Sequence, residues 1–96
     1  MKPFYERYEE FIGMELQNVT IVIDHDNGGL YYETGREAPD MYGSYLIMKD
    51  GTVEHVADFS SRAEAKYFAI LIRDRFRELR RNEPFEIKDK TFGDGA

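Results

Sequence analysis

Residues 61 to 81 constrain this chain most, because one run holds a helix start, an apolar face and a stop. Ser61-Arg62-Ala63-Glu64 has the spacing of a capping box, in which the Ser hydroxyl accepts the amide three residues on and the Glu reaches back to the Ser amide. From there Ala65, Phe68, Ala69, Ile72, Phe76 and Leu79 recur at helical spacing, with Leu71 at their edge. Asn82-Glu83-Pro84 ends the run, since proline pushes the residue before it out of the helical region. A long helix with one apolar face must lie against something, and the chain ahead of it is rich in β-branched and aromatic residues.

Val19-Thr20-Ile21-Val22-Ile23 reads as a strand with both faces partly covered, and Asn27-Gly28 as the two-residue turn that returns it into Leu30–Thr34. Gly35 to Asp40 has the composition of a loop. A second hairpin joins residues 42–48 to 52–59 around Lys49-Asp50-Gly51. With Asp50-Gly51 as its turn pair, Met48 faces Val53, Leu46 faces His55, Ser44 faces Ala57 and Tyr42 faces Phe59. That face is assigned to the helix, which leaves Tyr45, Ile47, Glu54, Val56 and Asp58 pointing away. Phe4, Tyr5, Tyr8, Phe11 and Ile12 fit a short amphipathic helix over residues 3–14, with Pro3 in its first turn and Gly13 at its end. Phe85-Glu86-Ile87 suits a short edge strand, and residues 92–96 a flexible tail. The expected fold is one α+β domain spanning 1–96: an antiparallel sheet of about four strands in two hairpins, a long C-terminal helix on one face, and a short N-terminal helix.

Composition removes several classes of function. The chain has no cysteine, which excludes disulfides, thiolate zinc sites and a Cys nucleophile. No apolar run approaches the ~20 residues of a membrane span, and the N-terminus lacks the apolar stretch of a leader, so a cytoplasmic protein without membrane contact is expected. The net charge of −6 argues against general binding to a phosphate backbone. Charge is nonetheless uneven. Residues 62–81 carry seven bases against three acids, so the segment is +4 and the remainder −10. On the helical wheel Lys66, Arg73, Arg77, Arg80 and Arg81 fall in one stripe beside the apolar side, and Arg62 opens it. That stripe is either a docking surface or a solvated face paired to nearby acids.

Chemistry-bearing motifs are sparse. Asp24-His25-Asp26-Asn27-Gly28-Gly29 places two carboxylates and an imidazole in a Gly-rich turn, but its Gly falls one position early for a calcium loop and the twelfth position is Gly35 rather than Glu. His25 would also point away from the two acids in an extended strand, so the segment reads as a hairpin turn and no metal is expected. No Gly-x-Ser-x-Gly elbow accompanies the serines, Ser61 is explained as a cap, and His55 reads as a core histidine. No catalytic residue and no cofactor is expected. Asn18-Val19-Thr20 matches a glycosylation sequon that opens a strand and is read as chance. Seven tyrosines are many for 96 residues. In the register above Tyr45, Ile47 and Val56 lie on the face away from the helix, joined by Tyr31 or Tyr32. That apolar face needs a cover from the N-terminal helix or another chain, and so locates a homodimer or partner interface.

The block from Gly43 to Leu79 resembles the second half of a double-stranded-RNA-binding domain, whose last helix opens with Ser-Lys-Lys-x-Ala-Lys. Ser61, Arg62, Ala65 and Lys66 match that pattern; Ala63 replaces the middle lysine, and the family's Gly-Pro-x-His loop is absent. The resemblance implies phosphate contacts through Arg62 and Lys66, and nucleic-acid binding along the stripe would add Arg73 and Arg77. The leading expectation is a small non-enzymatic module (regulator, adaptor or phage-type inhibitor) that binds another protein. Nucleic-acid binding through the stripe is the alternative.

Overall fold

The computed structural model describes residues 3–37 and 39–92. The fold is α+β. Five strands, β1 (Phe11–Asp24), β2 (Gly29–Thr34), β3 (Met41–Met48), β4 (Val53–Phe59) and β5 (Glu86–Asp89), form one sheet, and a helix, α1 (Arg62–Leu79), packs on one side of it. The main order is β2-β1-β3-β4, all antiparallel, and β5 runs parallel to β1. Because β3 holds one edge of β1, β5 and β2 share the other edge in tandem: β5 along Gly13–Leu16 and β2 along Val19–Asp24.

Helix α1 begins as its sequence dictates. The Ser61 hydroxyl accepts the Glu64 amide at 3.2 Å, and the Glu64 carboxylate takes the hydroxyls of Ser60 and Ser61. Ala65, Ala69, Ile72 and Phe76 are buried along it and meet Phe11, Met14, Leu16, Tyr42 and Leu46 from the sheet. Phe76 sits at the centre, its ring 4.9 Å from that of Phe85 and 6.2 Å from that of Phe11. Leu79, expected in the apolar stripe, is half exposed, as is the edge residue Leu71.

The N-terminal segment departs from expectation. Only Phe4–Glu6 is helical, as a single 3-10 turn, and the chain is already extended at Phe11. The helical spacing of Tyr8 and Phe11 is real but serves a strand entry. Both side chains are buried, Phe4 stacks edge-on against Phe68, and two strands bid for the backbone that follows. Local helix propensity over so short a stretch cannot outweigh a ladder on each side. Gly13 is therefore no helix terminator. It lets β5 approach, since a Cβ there would run into the Glu86 carbonyl.

Both hairpin turns are longer than expected. Four residues separate the Asp24–Gly29 pair. The Asp24 carboxylate accepts the amides of Asp26 and Asn27 and the Asn27 side chain, which holds it below its ordinary pKa, and Gly28 takes a φ of 67°. In the second hairpin the Met48 amide reaches the Thr52 carbonyl and Gly51 sits at φ 89°, so Ile47, not Met48, faces Val53. A bulge at Val56 restores the expected register, and Ser44–Ala57 and Tyr42–Phe59 pair as anticipated. Between the loop and the bulge the faces are exchanged. Val56 packs into the helix-side core, and His55 stands on the other side. Asn18, read from sequence as part of a chance sequon, is fully buried. Its amide donates to the carbonyls of Arg36 and Phe92 and accepts the Phe92 amide. Phe92, the first residue of the expected tail, is thus pinned to β1; the remainder of that tail, residues 93–96, lies outside the described residues. No described helix is long and apolar enough to cross a membrane.

Candidate functional site

Alternation along β1 fixes what the far side of the sheet presents. Glu15, Gln17, Val19, Ile21 and Ile23 point away from α1, and cross-strand pairing sets Tyr45 beside Glu15, Tyr32 beside Ile21 and Leu30 beside Ile23. Gly43 marks the tight point of this face, because a Cβ there would lie 2.9 Å from Val19 and 3.1 Å from the Tyr45 ring. Tyr45 consequently lies down over Gly43 against Val19, and His55 meets its ring edge-on at 5.3 Å. The described N-terminal residues 3–10 pack on the other side of the sheet. Phe4 packs on Phe68, and Arg7 forks between Glu10 and Glu54, all on the helix side.

Beyond Val19, β1 loses β3 and continues with β2 alone, so residues 20–24 and 29–33 form a two-stranded arm. Asp40 closes its root: its amide donates to the Val19 carbonyl at 2.9 Å and its carboxylate accepts the Ile21 amide at 2.7 Å. The arm accounts for the elongated shape, 49 Å by 30 Å by 19 Å. Its apolar residues are bare, with Ile23 56 %, Leu30 66 % and Tyr32 66 % exposed.

Where arm and body meet, Val19, Tyr32, Tyr45, His55 and Asp58 line a hollow of about 300 Å³. His55 Nε2 lies 2.8 Å from Asp58 Oδ1. Burial pushes the Tyr45 phenol above its ordinary pKa, and the negative charges of Asp58 and Glu15 push it the same way. Burial also works against ionising Glu15, but hydrogen bonds from Gln17 and Lys90 outweigh it and hold that carboxyl low. The hollow thus holds a His–Asp pair beside phenols. A phenol whose pKa is raised stays protonated at neutral pH, so Tyr45 is available there as a hydrogen-bond donor rather than as a nucleophile or base.

Of the sheet-face residues singled out from sequence, Tyr32, Tyr45 and Ile47 share this face. Tyr31 lies on the opposite face of the arm, past the helix and half exposed, and Val56 belongs to the core. The exposed residues that periodicity missed are Ile21, Ile23 and Leu30, because a strand with two apolar faces reads from sequence as a buried one. The basic stripe is tied down in part. Arg62 bonds Thr91, Lys66 pairs with Asp89 at 3.2 Å, Arg73 with Asp74 at 3.5 Å, and Arg80 with Glu83. Arg77 and Arg81 are exposed with no ion-pair partner among the described residues. Among those residues no three His, Asp or Glu side chains converge on a metal-sized site. Compared with protein-family models, curated proteins and solved structures, the chain matches none of them.

Proposed function

We propose that this chain is a small non-enzymatic interaction module, a regulator, adaptor or inhibitor that acts by binding another protein through the open sheet face and its arm. The observation that carries the reading is the bare apolar side of the arm, Ile21, Ile23, Leu30 and Tyr32, which meets the half-buried Tyr45 ring of the body at the hollow. Monomers seldom leave a surface of this kind bare unless something docks on it. Aromatic residues at its centre suit the role, because they bring large contact area at little entropic cost. Nucleic-acid binding through the stripe has less support, since Arg62, Lys66 and Arg80 already hold partners within the chain.

The test compares affinity capture by the wild type, by Tyr32→Asp and by Arg73→Glu/Arg77→Glu, each with nuclease present. One defined protein retained by the wild type and by the double variant, and lost with Tyr32→Asp, is the expected result. Retention that survives Tyr32→Asp but fails in the double variant, or binding to duplex RNA that the double variant abolishes, overturns it.

A further inference from the structure

We infer that the groove between α1 and the outer edge of β5 is a second docking site, which takes an extended acidic segment of a partner protein as an added strand. An apolar side chain of that segment lies between Ile70 and Ile87, and a carboxylate two residues away meets Arg73. The groove shares no residue with the open face and its arm.

Strand β5 is paired along one edge only. The Lys90 amide donates to the Leu16 carbonyl and the Glu86 carbonyl lies against Gly13, so these residues turn their backbone toward β1. Successive residues of a strand turn their peptide groups to opposite edges, and Ile87 and Asp89 therefore aim theirs outward, where no described strand lies. An unpaired row of this kind is a template for another strand. The remaining edges offer less: β4 is bent by the bulge at Val56, and β2 runs out along the arm, past the helix.

The side chains of Ile87 and Asp89 turn toward α1, Ile87 onto the core and Asp89 to Lys66 at 3.2 Å. Helix and strand run in opposite directions, because Phe76 packs on Phe85 near one end and Arg62 bonds Thr91 beyond the other. Lys66, Ile70, Arg73 and Arg77 follow one another three or four residues apart and so form one line along α1. Between that line and β5, Lys66, Ile70, Arg73, Ile87 and Asp89 line a groove of about 310 Å³, with Ile70 39 % exposed. Arg73 and Arg77 stand about 4.5 and 10.5 Å beyond Ile70 along the helix axis. Alternate side chains of a strand are ~6.6–6.8 Å apart, so a carboxylate two residues from an apolar side chain reaches between the two arginines.

Charge selects the occupant. Arg73 Nε is buried without a hydrogen bond, and the neighbouring Asp74 carboxylate stands 3.5 Å away, at the outer limit of such contacts. A buried donor left unpaired is costly, and a carboxylate that forks onto the guanidinium offsets the loss. The Arg73 side chain is 30 % exposed and lines the groove, so a carboxylate lying there meets it. Arg77, one turn on, has no ion-pair partner among the described residues. Asp89 is held by Lys66 and Thr91 and leaves Arg73 open. The helix segment 62–81 is +4 within a chain of −6, and charges farther than about 8 Å from the groove are largely screened at physiological salt.

NMR titration of the full chain with three capped octapeptides tests the site: Thr-Val-Thr-Glu twice over, and the same peptide with Gln or with Lys in place of each Glu. The Glu peptide should shift the Ile87 and Asp89 amides and the Arg73 Nε–H, and protect both amides from exchange. It should bind about tenfold more tightly than the Gln peptide, as one charge-assisted contact implies, and the Lys peptide should not bind. Arg73→Gln should erase the preference for Glu over Gln. Ile70→Asp, at an exposed position, should abolish binding with the helix signal in circular dichroism unchanged, and Tyr32→Asp should leave binding as it was. The inference is overturned if no peptide reaches β5 at millimolar concentration, if the Gln or Lys peptide binds as well as the Glu peptide, or if the shifts fall on the arm. Duplex RNA that shifts Arg73 and Arg77 and binds more tightly than the Glu peptide overturns it as well, and gives the groove to nucleic acid.

Discussion

Replacing Gly13 by Ala adds one methyl group and should separate two accounts of the N-terminal segment. In a strand free of close neighbours the change is favourable by about 0.5–1 kcal/mol, because glycine loses more backbone entropy on folding than alanine does. Here the new Cβ would collide with the Glu86 carbonyl oxygen and lie 3.3 Å from the Glu86 carbonyl carbon and nitrogen, all backbone atoms that cannot rotate aside. Either β5 shifts as a unit, an overpacking strain of about 1–3 kcal/mol, or it detaches. Detachment would lose part of the ~1.5–3 kcal/mol that burying the Ile87 side chain contributes, together with the Lys66–Asp89 contact. Both routes converge on a net loss of about 2 kcal/mol, which for a domain of this size is roughly 8–16 °C in Tm. Urea titration followed by circular dichroism measures the loss, and amide exchange on Ile87, Lys88 and Lys90 shows whether β5 is the part that gives way. An unchanged or raised midpoint, with β5 amides as protected as before, would refute the packing of β5 against Gly13.

Two further outcomes follow from the core and from β5. Phe76→Ala should cost about 3–5 kcal/mol, whereas Leu79→Ala, three residues along the same side but half exposed, should cost under about 1 kcal/mol; equal losses in chemical denaturation would contradict the placement of α1. Burial opposes ionisation of Asp89, but hydrogen bonds from Thr91 and the contact with Lys66 outweigh it and hold its carboxyl below the ordinary 3.8. A depressed folded pKa stabilises the fold above the ordinary value and is lost as pH falls through the depressed one. Asp89→Asn should therefore flatten the drop in urea midpoint below about pH 4 relative to wild type, and parallel curves for the two proteins would sink that assignment.

The sequence is a good guide where structure is local. The Ser61 cap, the helix behind it and its stop ahead of Pro84 depend on neighbours within a few residues, and they form close to the reading: the helix ends at Leu79, two residues short of Arg81, and Glu64 takes the serine hydroxyls in place of the Ser61 amide. The start of β1 depends on partners about thirty-five and seventy residues away along the chain, β3 and β5, so a window that sees only Phe4 to Ile12 finds a helical period and misses the strand. The second hairpin carries two irregularities that cancel. The longer loop at Lys49-Asp50-Gly51 shifts the register by one and the bulge at Val56 shifts it back. That is why Tyr42 and Ser44 land as anticipated while His55 and Val56 trade faces. A one-residue slip exchanges the sides of a strand, and neither irregularity leaves a mark in composition. The arm was legible as a hairpin, but its lack of neighbours was not, since β-branched residues at Val19–Ile23 imply cover without saying who provides it.

The central claim is that the open face and its arm are a docking surface for another protein, and backbone amide exchange across the arm with and without the protein that the wild type captures tests it most directly. The account predicts that the arm amides of residues 20–24 and 29–33 that lie in the β1–β2 ladder exchange quickly in dilute protein. They should gain protection when the captured protein is added, and Tyr32→Asp should cancel that gain while the amides of α1 stay protected throughout. Arm amides as protected at high dilution as those of β3, and indifferent to Tyr32→Asp, would contradict it.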